Sequence, residues 1–238
     1  MDINTRIEEF ERKTKNIAIA YGGDGTLLQK FHELLDDNGC PKKAILPIRN
    51  YGQCKHHLHL IDDVLNGTTK CKCDLKQKTG DILASDGNVA MSEIQIVSAN
   101  PTTCLRMDIF INNHLFMENV IANGIIVSTP IGSTGYFKSV ARTIFRDGIG
   151  VAFICPTYGI NNIILKPTDW INVVFNRACK AFMSWDNITS SIDVEKGTTK
   201  TIQYSSNVVS LFGYEEFMCP QCRIGRNSTT INDQYKIF

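Results

Sequence analysis

The sequence has almost no excess of charge of either sign. Its 238 residues include 25 Lys and Arg against 24 Asp and Glu, which gives a formal net charge of +1. A protein that binds nucleic acid or a membrane surface usually carries a concentrated basic excess. We therefore expect neither nucleic acid nor a membrane as a partner.

Long apolar runs are missing as well. No run approaches the ~20 residues of a transmembrane helix, and residues 1–9, MDINTRIEE, lack the apolar centre of a signal peptide. We therefore expect a cytoplasmic protein. The cysteines number nine, an odd count, so reduced thiols fit better than a disulfide framework.

Histidines and cysteines cluster in three places, but without the paired spacing of a zinc site. The clusters are CKHHLH at residues 54–59, CKC at residues 71–73 and CPQC at residues 219–222. The last has the spacing of a zinc knuckle, whereas the cysteines of the second are one residue too close for the usual form. We favour solvated histidines and reduced cysteines over a structural zinc site.

Two stretches of small and hydroxylated residues each follow an apolar, β-branched segment. YGGDGTLL at residues 21–28 follows Ile17-Ala18-Ile19-Ala20, and STPIGSTGY at residues 128–136 follows Ile125-Ile126-Val127. Glycines after a strand let backbone N–H groups approach an anion closely. Apolar residues at helical spacing over residues 27–35 predict that the first turn opens a helix, whose N-terminus favours phosphate.

The carboxylate of Asp24 stands out in the first stretch. A carboxylate beside phosphates is electrostatically unfavourable unless it binds a cation or accepts a proton. Asp24 is therefore a candidate catalytic base or organiser of Mg²⁺ in phosphoryl transfer. The alternative is a strand-turn-helix corner in which Asp24 only caps the helix.

The second stretch is rich in hydroxyl groups. Ser128, Thr129, Ser133, Thr134 and Tyr136 supply five of them, which is more hydrogen-bonding capacity than a turn needs for itself. The pattern indicates a ligand with hydroxyls, amides and phosphates. The alternative is an ordinary polar surface turn.

The pair of stretches resembles the NAD kinase family. The first alone is similar to those of phosphofructokinases and of diacylglycerol or sphingosine kinases, whereas the second is largely particular to NAD kinases. The similarity extends from about residue 17 to about residue 212. It implies ATP-dependent phosphorylation of the 2′-hydroxyl on the adenosine ribose of NAD, with Mg²⁺ accompanying ATP, in a homodimer or homotetramer.

The resemblance also implies the site residues. Asp24 would be catalytic, and the ATP phosphates would bind Gly22, Gly23, Gly25 and Thr26. NAD would bind Ser92, Glu93, Asn123, Thr129, Gly132, Ser133, Thr134, Gly135, Tyr136 and Ser139. Ser92 stands where the family has asparagine, and Asn123 stands where it usually has aspartate. For Glu93 the alternative is a side chain that faces solvent on a strand.

The order of patterns predicts an α/β domain followed by an all-β domain. A helix over residues 2–14, strands over residues 17–21 and 44–48 and the helix between them indicate a parallel β-α-β unit. Residues 70–88 are polar and turn-rich, and alternating strands follow, with a tight turn at Asn112-Asn113. We predict a trimmed Rossmann-like domain over residues 1–88, a β-rich, sandwich-like domain over residues 89–212, and a tail over residues 213–238 that packs on the first domain.

Two other functions stay open at this point. One is a non-catalytic sensor that binds NAD(H) or NADP(H) on the same fold, and the other is a related kinase with another substrate. Within the NAD kinase hypothesis, ATP or polyphosphate can be the phosphate donor and NADH can be a second acceptor.

Overall fold

The computed structural model of the protein describes residues 2–49, 61–66 and 77–214. The chain forms two compact units. Of the described residues, the first unit comprises 2–30, 43–49, 61–66, 77–78 and 211–214, and the second comprises Phe31–Lys42 and Thr79–Ser210. The domains predicted from the sequence are the continuous segments 1–88 and 89–212. That division into domains stays a prediction. Most of the predicted tail, residues 215–238, lies outside the described residues.

The first unit is built on a parallel β-α-β arrangement. Its elements are α1 (Ile3–Thr14), β1 (Ile17–Tyr21), the first turns of α2 (Asp24–Glu33), β2 (Ala44–Ile48) and α3 (Ile61–Asn66). β1 and β2 pair in parallel, with Ile17 opposite Ala44 and Tyr21 opposite Ile48. Ile3, Ile7 and Phe10 of α1 pack against a core that includes Ile19 and Leu46. The predicted amphipathic helix and β-α-β unit are therefore confirmed.

The second unit contains two antiparallel sheets. One has the order β14-β11-β6-β7 with β3 and β4 alongside, and the other has the order β10-β9-β8-β5-β12-β13. The strands are β3 (Gln77–Ser85), β4 (Asn88–Ala90), β5 (Glu93–Ser98), β6 (Leu105–Ile111), β7 (His114–Ala122), β8 (Gly124–Ser128), β9 (Ile149–Ile154), β10 (Ile163–Leu165), β11 (Ile171–Phe175), β12 (Cys179–Trp185), β13 (Ile188–Val194) and β14 (Thr199–Phe212).

An apolar core joins the two sheets of the second unit. Alternate residues of β6 and β11 are buried, as period-two side-chain alternation requires. Met107 and Val173 from one sheet share a cluster with Ile94, Ile125 and Val151 from the other. The predicted sandwich-like, β-rich half is therefore confirmed, and so is the turn at Asn112-Asn113, where both residues have positive φ.

One local prediction was wrong. Residues 77–85 were expected to belong to a polar, turn-rich connection, but they form β3, which pairs with β4 across a turn at Asp86 and Gly87. The polar residues of this segment surround Ile82 and Leu83, which are both fully buried. Burial of these two side chains outweighs the low strand propensity of their neighbours.

Several expectations concern segments outside the described residues. The three histidine and cysteine clusters, residues 54–59, 71–73 and 219–222, all lie there. Within the described ranges, no group of three or more His, Cys, Asp or Glu is arranged to hold a metal ion. No helix in the described part of the chain is both long enough and apolar enough to cross a membrane.

Candidate functional site

The first motif joins the end of β1 to the start of α2. Gly22 donates its N–H to the carbonyl of Ile48 at 2.8 Å, which ties the turn to the end of β2. A Cβ atom at residue 22 would lie 2.3 Å from Thr26 Oγ1, whereas one at Gly25 would meet nothing within 4 Å. Gly22 thus allows the tight turn, and Gly25 leaves open space beside the helix N-terminus, where an anion is favoured.

Asp24 is the first residue of α2, and its side chain is 63% exposed. Its Oδ1 accepts a hydrogen bond of 2.5 Å from Nη2 of Arg49. The Arg49 side chain is only 2% exposed, so a buried guanidinium holds one face of an otherwise solvent-accessible carboxylate. A carboxylate held in this way can bind a cation or take a proton from a hydroxyl.

Arg49 is a candidate site residue that the sequence interpretation did not identify. It comes directly after β2, and Asp24 comes shortly after β1. Because β1 and β2 are parallel, the residues that follow them lie at the same edge of the sheet, where open α/β sheets bind their ligands. This rule, applied to the predicted β-α-β unit, could have identified Arg49 from the sequence.

Four of the five hydroxyls in the second motif have partners within the protein. That of the exposed Thr134 lies 3.4 Å from the carbonyl of Ile131, and the other three are buried. Ser128 Oγ donates to the carbonyl of Ser92 at 3.3 Å, and Thr129 Oγ1 donates to the carbonyl of Met91 at 2.8 Å. Ser133 Oγ lies 2.8 Å from the carbonyl of Pro130 and 3.0 Å from that of Phe145. All three serine and threonine side chains are buried, so they shape the loop.

Gly132 lets this loop contact residue 92 closely. A Cβ atom there would lie 2.2 Å from the carbonyl oxygen of Ser92 and 2.6 Å from Ser128 Oγ. The N–H of Gly132 donates to Thr129 Oγ1 at 3.2 Å, and Gly132–Thr134 forms a short 3₁₀-helix. The loop is therefore fixed against the start of β5.

The C-terminal end of the motif is exposed to solvent. Thr134, Gly135, Tyr136 and Ser139 are exposed, and Tyr136–Ala141 forms a short helix, α4. The hydroxyls of Thr134, Tyr136 and Ser139 are therefore the ones that a ligand can reach. The predicted contacts of NAD with all these residues, and with the buried Thr129 and Ser133, stay predictions.

Ser92 and Glu93 lie beside the second motif. Glu93 is opposite Ser128 in the pairing of β5 with β8, and the two residues 92 and 93 are each 7% exposed. Ser92 Oγ donates a short hydrogen bond to Glu93 Oε2. The alternative in which Glu93 simply faces solvent on a strand is wrong, because its side chain is buried against the loop.

Asn123 lies away from this group of residues. It precedes β8, whereas Ser128 ends that strand, and five steps of about 3.4 Å separate their Cα atoms by roughly 17 Å. The Oδ1 atom of Asn123 is buried and has no hydrogen-bond partner among the described residues. The structure therefore does not bring Asn123 to the loop that holds Thr134 and Tyr136.

Asp186 is a second functional candidate that sequence interpretation missed. It lies in the turn between β12 and β13 with a φ of 56°. Its carboxylate is buried and accepts hydrogen bonds from the backbone of residues 91–93 and from His32. His32 and Met91 are far from Asp186 in the chain, so no local sequence pattern indicates this cluster.

Comparison with known proteins gives consistent similarities. Residues 91–212 match the ATP-NAD kinase C-terminal domain. The chain is 26% identical over 236 residues to the NAD kinase of Lactobacillus acidophilus, covering 87% of this chain and 83% of that protein. Its fold is similar to that of a yeast NADH kinase complexed with NADH, with a TM-score of 0.72, 18% identity, and coverage of 91% of this chain and 68% of that one. It is also similar to the fold of an Archaeoglobus fulgidus NAD kinase in complex with ATP, with a TM-score of 0.69, 20% identity, and coverage of 91% and 92%.

Proposed function

Because the chain belongs to the ATP-NAD kinase family, we propose that it transfers the γ-phosphate of ATP to the 2′-hydroxyl of the adenosine ribose of NAD. The product is NADP. The observation that carries this proposal is the exposed carboxylate of Asp24, which begins a helix directly after a glycine turn and is held by Arg49. A protein that only bound a dinucleotide would gain nothing from a carboxylate beside phosphates.

The first motif is proposed to bind ATP. Backbone N–H groups at the start of α2 and the open space beside Gly25 suit phosphate oxygens. Arg49 offsets the charge of Asp24, so the carboxylate can lie near phosphates with less repulsion. Asp24 then orients or deprotonates the 2′-hydroxyl, and catalysis depends mainly on positioning and charge neutralisation.

Mg²⁺ is proposed to enter with ATP. Magnesium usually keeps several waters and binds through one or two carboxylates and the substrate phosphates, without a dedicated protein cage. The described residues fit that mode, because Asp24 offers one solvent-accessible carboxylate at the glycine turn. When bound, the ion would neutralise charge on the phosphates during transfer.

The second motif is proposed to bind NAD. Glu93 can accept hydrogen bonds from ribose hydroxyls, and Thr134, Tyr136 and Ser139 present hydroxyls on the exposed side of the loop. Buried Ser128, Thr129 and Ser133 keep the loop in the shape that presents these groups. A cytoplasmic location and assembly into a homo-oligomer are also proposed, and both rest on the family.

The test of this function uses Asp24→Asn. The variant keeps the size of the side chain and a hydrogen-bond acceptor, but it loses the charge and the basicity. We expect kcat for NADP formation to fall by about 10²–10⁴, while the calorimetric Kd for NAD stays within about threefold. Asp193→Asn, which changes an exposed aspartate on β13, is the matched control and should keep full activity. Near-normal turnover of Asp24→Asn would contradict the assigned role.

A further inference from the structure

The carboxylate of Asp186 is a point where four hydrogen bonds meet. Its Oδ1 accepts from the N–H groups of Ser92 at 2.7 Å and Glu93 at 3.3 Å. Its Oδ2 accepts from the N–H of Met91 at 2.9 Å and lies 3.0 Å from Nε2 of His32. The side chain of Asp186 is fully buried, so the three bonds from the backbone are shielded from water, and the bond to His32 is part-buried.

These bonds hold residues 91–93 from one side, and Thr129 holds them from the other. The N–H of Thr129 donates to the carbonyl of Ser92 at 2.9 Å, and its hydroxyl donates to that of Met91 at 2.8 Å. Asp186 also donates its own N–H to the carbonyl of Glu93 at 2.9 Å. The backbone that carries Glu93 is therefore fixed on both faces, and this sets the direction of the Glu93 side chain.

His32 is the side-chain donor in this arrangement. Both carboxylate oxygens of Asp186 already accept backbone N–H groups, so Nε2 of His32 is the donor in their shared hydrogen bond. The imidazole side chain is 12% exposed and packs edge-to-face on Phe31, with ring centroids 5.0 Å apart. Burying a carboxylate is costly unless its oxygens are satisfied. Loss of the His32 bond should therefore let Asp186 and the segment that it holds relax.

We propose that His32 is a positioning residue for NAD. Through Asp186 it keeps residues 91–93 in the place from which Glu93 binds the dinucleotide, and it touches neither substrate itself. This inference rests on the proposed function, because it assumes that Glu93 binds NAD. If His32 had a purely structural role, replacing it would lower thermal stability without selectively weakening NAD binding.

Three variants of His32 separate the two roles. His32→Leu keeps the bulk and removes the donor, whereas His32→Gln places an amide N–H where Nε2 was. His32→Asn has the same amide on a side chain too short to reach Asp186. It replaces His32→Leu as the donor-free variant if the leucine protein does not fold. His114→Leu, at an exposed position on β7, is the control for replacing a histidine by leucine.

The experiment measures KM for NAD, KM for ATP, kcat and the calorimetric Kd for NAD. Because a hydrogen bond to a charged group is lost, we expect KM and Kd for NAD to rise about tenfold in His32→Leu and His32→Asn. The values of kcat and KM for ATP should stay within about twofold, and His32→Gln should stay within about threefold of wild type throughout.

Two contrary results are distinguishable. If wild-type protein forms NADP and the donor-free variants keep the wild-type KM for NAD, the inference is overturned and the proposed function stands. If wild-type protein neither binds nor phosphorylates NAD, the proposed function is contradicted and the inference falls with it.

Discussion

At the residue scale, the central feature is the contact of the buried Arg49 side chain with Asp24. Its guanidinium is almost fully buried, but its partner Asp24 is largely exposed. An ion pair of this kind adds little stability, because the exposed partner is well solvated without it. Its effect should instead be on where the carboxylate of Asp24 points, and hence on turnover.

Replacing Arg49 with methionine tests this interpretation. Methionine has a similar length and suits an apolar site, so the melting temperature should change by less than about 4 °C. Without the guanidinium, Asp24 loses its fixed orientation and faces phosphates uncompensated, and kcat should fall at least ~10-fold. Arg49→Lys should recover part of the loss, since lysine keeps the charge without the planar fork. A kcat unchanged in Arg49→Met would show that the arginine serves the fold alone.

At the residue scale, the sequence pattern also failed to predict which hydroxyls are buried. Hydroxyl content drew attention to residues 128–136, but it did not separate the buried hydroxyls from the exposed ones. Ser133 and Thr134 are neighbours of the same chemical type, yet only Thr134 is exposed. The difference depends on the carbonyl of Phe145, which the loop geometry brings to Ser133. No pattern along the chain encodes that contact.

At the scale of elements, the loop after β8 depends on the close approach of Gly132 to Ser92. The obstacle to a side chain at residue 132 is a backbone carbonyl at 2.2 Å from the position of Cβ, which cannot rotate away. The loop and the start of β5 would have to separate to admit even a methyl group.

Gly132→Ala should therefore affect stability and NAD binding together. We expect a loss of about 1–3 kcal/mol of unfolding free energy, the usual range for strain at a constrained site, together with a higher KM for NAD. Gly159→Ala is the matched control, because a Cβ at Gly159 meets nothing within 4 Å. Urea unfolding and steady-state kinetics of both variants provide the check. Equal stability of the two variants would contradict the close packing described here.

The secondary structure was predictable where side chains alternate or recur regularly. β6 and the turn at Asn112-Asn113 follow directly from the alternation and the two asparagines. β3 was missed because its strand character comes from the burial of Ile82 and Leu83, while its outer residues look like a loop. Tertiary packing decided that element, and a local pattern does not contain such information.

At the scale of the whole molecule, Tyr204 connects β14 to the segment that leads into β9 of the other sheet. Its hydroxyl donates to the carbonyl of Gly148 at 2.6 Å. Burial raises the pKa of Tyr204 well above its ordinary value, and the nearby carboxylates of Asp81 and Asp147 add to the effect. The phenol therefore stays protonated in the folded protein at pH values where it ionises in the unfolded chain.

The consequence is a loss of stability in alkali. A group whose pKa is raised on folding contributes full stability below its unfolded pKa, here about 10, and loses that contribution as the pH rises further. The unfolding free energy of wild type should therefore fall between about pH 10 and 12 more steeply than that of Tyr204→Phe. Denaturant unfolding of both proteins across this range is the measurement. Parallel pH profiles would contradict the buried, protonated phenol.

The central claim is that this protein is an NAD kinase, and both its family and its fold support it. The most direct test incubates the purified protein with NAD, ATP and Mg²⁺ and follows NADP with a dehydrogenase that accepts only NADP. We expect NADP to accumulate in proportion to enzyme and to require both ATP and NAD. Calorimetric binding of NAD without any NADP formation would contradict this claim and would identify a dinucleotide-binding protein instead.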